Sequence, residues 1–148
     1  MALKYTEEGT VTTVMSTELN ALADNDQAIS SSAFSNDAAS ERDIFASYEI
    51  YIPAQGGARD ASAAIILAIV PEVDDANYAS YDDEKLMDNL SVKEFTLDAA
   101  ATAVYLVVND VKLPPSDYKV ALRQETNQAL AATLNTVKER RYSYEDVT

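Results

Sequence analysis

A chain of 148 residues that is 47% hydrophobic, with 3 Gly and 4 Pro, can bury a core of its own as a single domain. It has 0 Cys and 0 His, which removes disulfides, thiol and serine–histidine nucleophiles, imidazole proton shuttles and Cys/His zinc sites together. A net charge of −14 repels nucleic acid and anionic lipid, so direct nucleic-acid binding and membrane association are not expected.

Residues 1–42 are rich in Ser, Thr, Ala, Asn and Asp, with apolar side chains thinly spread, and read as an extended N-terminal arm. The first ten residues are polar and acidic, not basic and then apolar as in a secretory signal, so the chain is expected to stay soluble where it is made. Within the arm, residues 10–15 suit a short strand, Ser16-Thr17-Glu18-Leu19 opens a brief helix through Leu22, and residues 28–34 suit a second strand. Val11, Val14, Leu19, Leu22, Ile29 and Phe34 give the arm enough apolar surface to pack on something.

From Asp43 onward, the expected domain 43–148, the period changes to two. Ile44, Ala46, Tyr48, Ile50 and Ile52 share one face of a strand that Pro53 stops. After the turn at Gly56-Gly57 comes the apolar run 63–70, whose two apolar faces require either a central strand covered on both sides or a subunit contact. That run is far too short to cross a bilayer. An acidic loop over 72–89 follows, with Asp74, Asp75, Asp82, Asp83, Glu84 and Asp88 interleaved with Tyr78 and Tyr81. It lacks the ligand spacing of a calcium loop, so no metal site and no cofactor are assigned. Strand period resumes over 94–97 and 104–108, passes the turn Leu113-Pro114-Pro115, and returns at Tyr118, Val120 and Leu122. A polar loop over 124–134 precedes a last, highly charged strand over 135–144. Residues 83–90 and 124–134 also hold good helix formers, and a turn or two of helix is compatible with either. Six to eight strands with few helices make the expected fold an all-β, antiparallel β-sandwich.

The acidic side chains crowd residues 1–110 while 111–148 are close to neutral, a split that suggests the C-terminal part faces an acidic partner or a neighbouring copy. Tyrosine dominates the aromatics, and Tyr48, Tyr51, Tyr105, Tyr118, Tyr142 and Tyr144 fall on strands or beside charge, where apolar area with a polar tip suits an interface. The candidate interface residues are Leu19, Leu22 and Phe34 from the arm, with Arg140, Arg141, Tyr142 and Tyr144 from the last strand. The alternative for the last group is an exposed edge strand protected by its charge. Paired carboxylates could hydrolyse glycosides without histidine, but 25 acidic residues make some pair inevitable and there is no Trp to grip a sugar, so no enzyme and no catalytic residue are expected.

The pieces Tyr5-Thr6-Glu7-Glu8-Gly9-Thr10, Leu19-Asn20-Ala21-Leu22-Ala23, Tyr48-Glu49-Ile50-Tyr51-Ile52, Leu113-Pro114-Pro115, Tyr118-Lys119-Val120-Ala121-Leu122-Arg123 and Asn135-Thr136-Val137-Lys138 resemble small tailed-bacteriophage virion proteins. The resemblance implies a sandwich of jelly-roll type and a cement protein that decorates the capsid and bridges neighbouring subunits. It also implies the major capsid protein as partner, a homo-oligomer (dimer or trimer), and a place on the outer capsid surface after assembly in the host cytoplasm. The alternative within the resemblance is a tail or baseplate subunit, structural or receptor-contacting. A third class, a carbohydrate-binding module or hydrolase, would show saturable sugar binding.

Overall fold

The computed structural model describes residues 2–5, 9–38, 42–74, 76–81 and 84–147. Thr6, Glu7 and Glu8 of the N-terminal motif, and Asp75, Asp82 and Asp83 of the acidic loop, lie outside them. The elements in chain order are β1 (Ala2–Tyr5), β2 (Thr12–Met15), a 3-10 turn (Thr17–Leu19), β3 (Gln27–Ile29), β4 (Phe45–Ile52), β5 (Ala64–Asp74), β6 (Asn77–Tyr78), α1 (Glu84–Leu90), β7 (Ser91–Thr96), β8 (Val104–Lys112), β9 (Tyr118–Glu125), β10 (Thr136–Tyr142) and β11 (Tyr144–Val147).

The fold is an antiparallel β-sandwich of jelly-roll type. One sheet, here sheet I, runs β2-β10-β4-β8; the other, sheet II, runs β3-β9-β5, with β6 and β7 both pairing on the far side of β5. β1 and β11 form a separate pair. β4 shows why the sheets face each other: Ala46, Tyr48, Ile50 and Ile52 are buried while the residues between them are not, the period-two pattern of a strand with one dry face. Opposite them, Ile65, Leu67 and Ile69 of β5 and Tyr118, Val120 and Leu122 of β9 close the core. Each fully buried Ile or Leu contributes about 1.5–3 kcal/mol relative to exposure.

β5 is apolar on both faces because both are covered by the chain itself. Ala68 and Val70 on its outer face pack with Met87 of α1, Ala121 and, at the margin, Tyr78, Tyr81 and Leu90. α1 falls within the 83–90 stretch whose composition allows helix, whereas 124–134 continues β9 to Glu125 and then turns without helix. β5 also runs past Pro71 to Asp74, since Pro71 need only accept, and its carbonyl takes the Ala79 N–H at 2.9 Å.

The N-terminal arm crosses from one sheet to the other. β2 pairs with β10 and β3 with β9, and Phe34 bridges to Tyr118, so the arm supplies an edge strand to each sheet. Val14, Met15 and Leu19 enter the core. At one end of the sandwich the buried Arg59 pins the loops: its Nε donates to Gln55 Oε1 (2.6 Å) and its two Nη to the carbonyls of Ala100 (2.7 Å) and Thr102 (2.6 Å).

The last strand departs from the edge-strand alternative. β10 lies between β2 and β4, and a break at Ser143 separates it from β11. Its alternation turns Val137 and Glu139 inward, and the core accepts Glu139 only because hydroxyl and guanidinium donors meet it there.

Candidate functional site

The two outer faces differ. That of sheet II is covered by α1 and residues 78–81, whereas that of sheet I leaves Tyr105 and Val107 exposed, with Phe45, Tyr142 and Tyr144 packed together at one end. Strand register sorts the exposed side chains of sheet I into rows about 7 Å apart along the strands. Tyr51 stands between Thr136 and Tyr105, and Glu49 between Lys138 and Val107; Arg140 lies opposite Ser47.

The tyrosine row is a platform. The Tyr51 and Tyr105 rings stack with centroids 4.5 Å apart at 27°, and Tyr105 remains 69% exposed on the edge strand β8. Val107, one row on, is 56% exposed, so a solvent-facing patch of aromatic and aliphatic surface occupies a position where polar side chains are the rule. Beside it a groove of about 380 Å³ is lined by Val11, Ser47, Glu49, Val107, Asn109, Lys138 and Arg140, with Tyr48 and Glu139 at its base. Lys138 Nζ donates to Glu49 Oε1 at 3.4 Å across its floor, both side chains being half exposed.

Beneath the groove lies a buried polar cluster. Glu139 Oε2 accepts the Tyr48 hydroxyl at 2.5 Å and the Tyr118 hydroxyl at 2.7 Å, and Oε1 accepts Arg141 Nε at 2.7 Å. Burial, reinforced by the neighbouring Glu139 carboxylate, pushes both tyrosines well above the ordinary phenol range. For Arg141, burial acts to lower its pKa, but the Glu139 hydrogen bond and charge outweigh it and raise it. Arg141 also donates to the Ser35 carbonyl at 2.7 Å and lies over the Tyr118 ring at 5.1 Å. The cluster fixes Tyr48 and the strand that carries Ser47 and Glu49, so it holds the groove floor rigid.

The candidate interface residues do not converge on one surface. Leu19 is fully buried, and Leu22 packs at the margin of the core. Phe34 and Arg141 do meet, the guanidinium lying 6.0 Å from the ring centroid. Tyr142 is buried, stacks on Phe45 at 5.8 Å and donates its hydroxyl to Asp110 Oδ1 at 2.5 Å. Tyr144 meets the same Phe45 edge-on at 5.3 Å. Of the seven, Arg140 alone lines the groove. Tyr51 and Tyr105 are among the strand tyrosines suited to an interface but not among those seven, and Glu49, Val107 and Asn109 are in neither group; the outward phase of Tyr105 and Val107, against Leu106 and Val108, is the signal that could have selected them.

No family model matches the chain, and no curated protein matches it. Among solved structures it is similar to the CBM36-1 domain of a multidomain xylanase from the hindgut metagenome of Trinervitermes trinervoides, at 7% identity and a TM-score of 0.47, covering 96% of this chain and 99% of that one. It is also similar to a family 35 carbohydrate binding module from an environmental isolate, at 10% identity and a TM-score of 0.43, covering 99% and 93%. These neighbours are carbohydrate-binding modules, not virion proteins, and the phage resemblance does not stand. With it fall the capsid-cement role, the tail or baseplate alternative, the major capsid protein as partner, and the outer-capsid location. The motifs behind it are general sandwich chemistry: Leu113-Pro114-Pro115 links β8 to β9, the motif at Tyr48 is a half-buried alternating strand, and the motif at Tyr118 is a central strand buried on both faces.

Proposed function

We propose that this chain is a binding module, not an enzyme, and that it holds a neutral polysaccharide on the outer face of sheet I. The observation that carries this reading is the stacked Tyr51–Tyr105 pair beside a groove that offers both donors and acceptors. A sugar ring has an apolar C–H face, which an exposed aromatic ring can cover, and a rim of hydroxyls, each of which both donates and accepts. Lys138 and Asn109 supply donors, and Glu49, Ser47 and Asn109 supply acceptors. The Lys138–Glu49 pairing balances the charge of the floor, which suits an uncharged, hydroxyl-rich ligand, and the net charge of −14 disfavours a polyanionic one.

The use of the groove's carboxylates supports binding without turnover. Glu49 is paired with Lys138, and both oxygens of Glu139 are engaged by Tyr48, Tyr118 and Arg141, whereas glycoside hydrolysis needs two carboxyl groups flanking the scissile bond. Native electrophoresis through gels containing a panel of neutral and anionic polysaccharides tests the reading. At least one neutral polymer should retard the protein without releasing reducing sugar, and Tyr105→Ala should remove the retardation. Failure of every neutral polymer to retard the parent would refute it.

A further inference from the structure

Resting on that reading, we infer that the site takes the end of a polysaccharide chain: the terminal sugar lies in the groove, and the sugars behind it run out over Tyr51 and Tyr105. The groove is blind at its Ser47 end. There Tyr142 of β10 lays its ring on Phe45 of β4, with centroids 5.8 Å apart and planes at 25°, and its hydroxyl reaches Asp110 of β8. One side chain thus crosses the outer face of three neighbouring strands. Tyr144 meets the same Phe45 edge-on, and it opens β11, so the β1–β11 pair is rooted at this end too.

The barrier is held in place by an irregularity in the sheet. The pairing of β4 with β8 slips between Ala46 and Tyr48, and Asp110 takes a left-handed backbone conformation (φ 59°). Asn109 and Asp110 are therefore exposed in succession, so that Asn109 lines the groove while Asp110 holds Tyr142. The Asp110 backbone N–H donates to the Tyr142 hydroxyl at 2.9 Å, that hydroxyl donates to Asp110 Oδ1 at 2.5 Å, and the Ser47 side chain hydrogen-bonds it as well. Tyr142 is consequently 7% exposed, whereas Tyr105, beyond the other end of the groove, is 69% exposed. A chain continuing past Ser47 would have to displace a buried, hydrogen-bonded ring; one leaving over Tyr105 meets open apolar surface. Val107 and Asn109 form one flank of the groove and Val11 the other. From the row of Ser47 and Arg140 to the tyrosine row is four residues of β4, about 13 Å at strand rise, a length that a short run of sugars fills with its terminal ring against the barrier.

The test uses the intact protein and the polysaccharide that retards it best. Calorimetric titration compares its longer oligosaccharides in three forms: free, with the reducing end coupled to a bulky arylamine, and with a bulky ether on the non-reducing terminal sugar. One of the two blocks should weaken binding by about ten-fold or more, and the other should change nothing. Partial hydrolysis of the polymer should raise the number of binding sites per gram in proportion to the chain ends released. Tyr142→Ala, where it folds, should bind the free and blocked forms alike, and the two measurements on the parent stand whether or not it folds. Equal affinity for the free chain and both blocked forms, loss of binding with both blocks, or sites per gram that do not change on hydrolysis would overturn this inference while leaving glycan binding in place. Absence of binding by any glycan would overturn both.

Discussion

Replacing Glu139 with Ala tests the buried cluster beneath the groove. The side chain is 2% exposed and its two oxygens serve three donors at 2.5–2.7 Å. Removing one partner of a buried ionic network costs about 3–5 kcal/mol, because the charge and hydroxyls left behind lose their acceptor without regaining water. Arg141 is 23% exposed and can turn toward solvent, which places the expected loss near the lower end, about 3 kcal/mol. In a chain of this length that is a fall in melting temperature of roughly 10 °C. Glu139→Gln keeps the shape and one acceptor and should cost about 1–2 kcal/mol. Thermal and urea unfolding followed by circular dichroism gives both values. Tyr118→Phe combined with Glu139→Ala should cost less than the sum of the single changes, since the two share one hydrogen bond. A Glu139→Ala protein that melts within 2 °C of the parent would show that the cluster does not stabilise the fold.

The same tyrosines set an alkaline limit. Their folded pKa values are raised above 10, so the unfolded chain loses those protons first, and stability intact below pH 10 should fall as pH rises, less steeply in Tyr118→Phe. Glu18 sets an acid one. Burial raises its pKa, but hydrogen bonds from the Ser16 backbone N–H at 3.0 Å and from the hydroxyl and backbone N–H of Ser31, the latter at 3.0 Å, outweigh this and bring it from 4.5 to about 2. Its contribution is therefore present above pH 4.5 and lost as pH falls toward 2, and urea midpoints of Glu18→Gln should vary less across that window. Leu67→Asp should leave no folded protein, because an unpaired charge would enter the layer between the sheets where Leu67 is 0% exposed; a soluble variant with the parent's circular dichroism would contradict the assigned packing.

The strands were legible where one residue in two is apolar, as in β4, and where a run is apolar throughout, as in β5. Local pattern carried those signals. The site was less legible because it depends on register. Tyr51 and Tyr105 are far apart in sequence and become neighbours only through the β4–β8 pairing, which no local period encodes. Glu139 misled for a related reason: within Lys138-Glu139-Arg140-Arg141 it reads as one charge on a solvated edge, and its burial depends on hydroxyls delivered by Tyr48 and Tyr118 from two other strands. The arm hid its role because Val14, Met15 and Leu19 lie among polar residues and show no period, yet each reaches the core. The phage resemblance was built from strand and turn pieces that any antiparallel sandwich reuses.

The central claim is that a neutral polysaccharide lies on the outer face of sheet I. Amide chemical-shift mapping of the labelled protein, titrated with oligosaccharides of the polymer that retards it, tests this most directly. The account predicts shifts that saturate together and cluster at Ser47, Glu49, Tyr51, Tyr105, Val107, Asn109 and Lys138, leaving α1 and the loops pinned by Arg59 unmoved. Saturable shifts confined to α1, to those loops or to residues 72–81 would place the ligand elsewhere and contradict it.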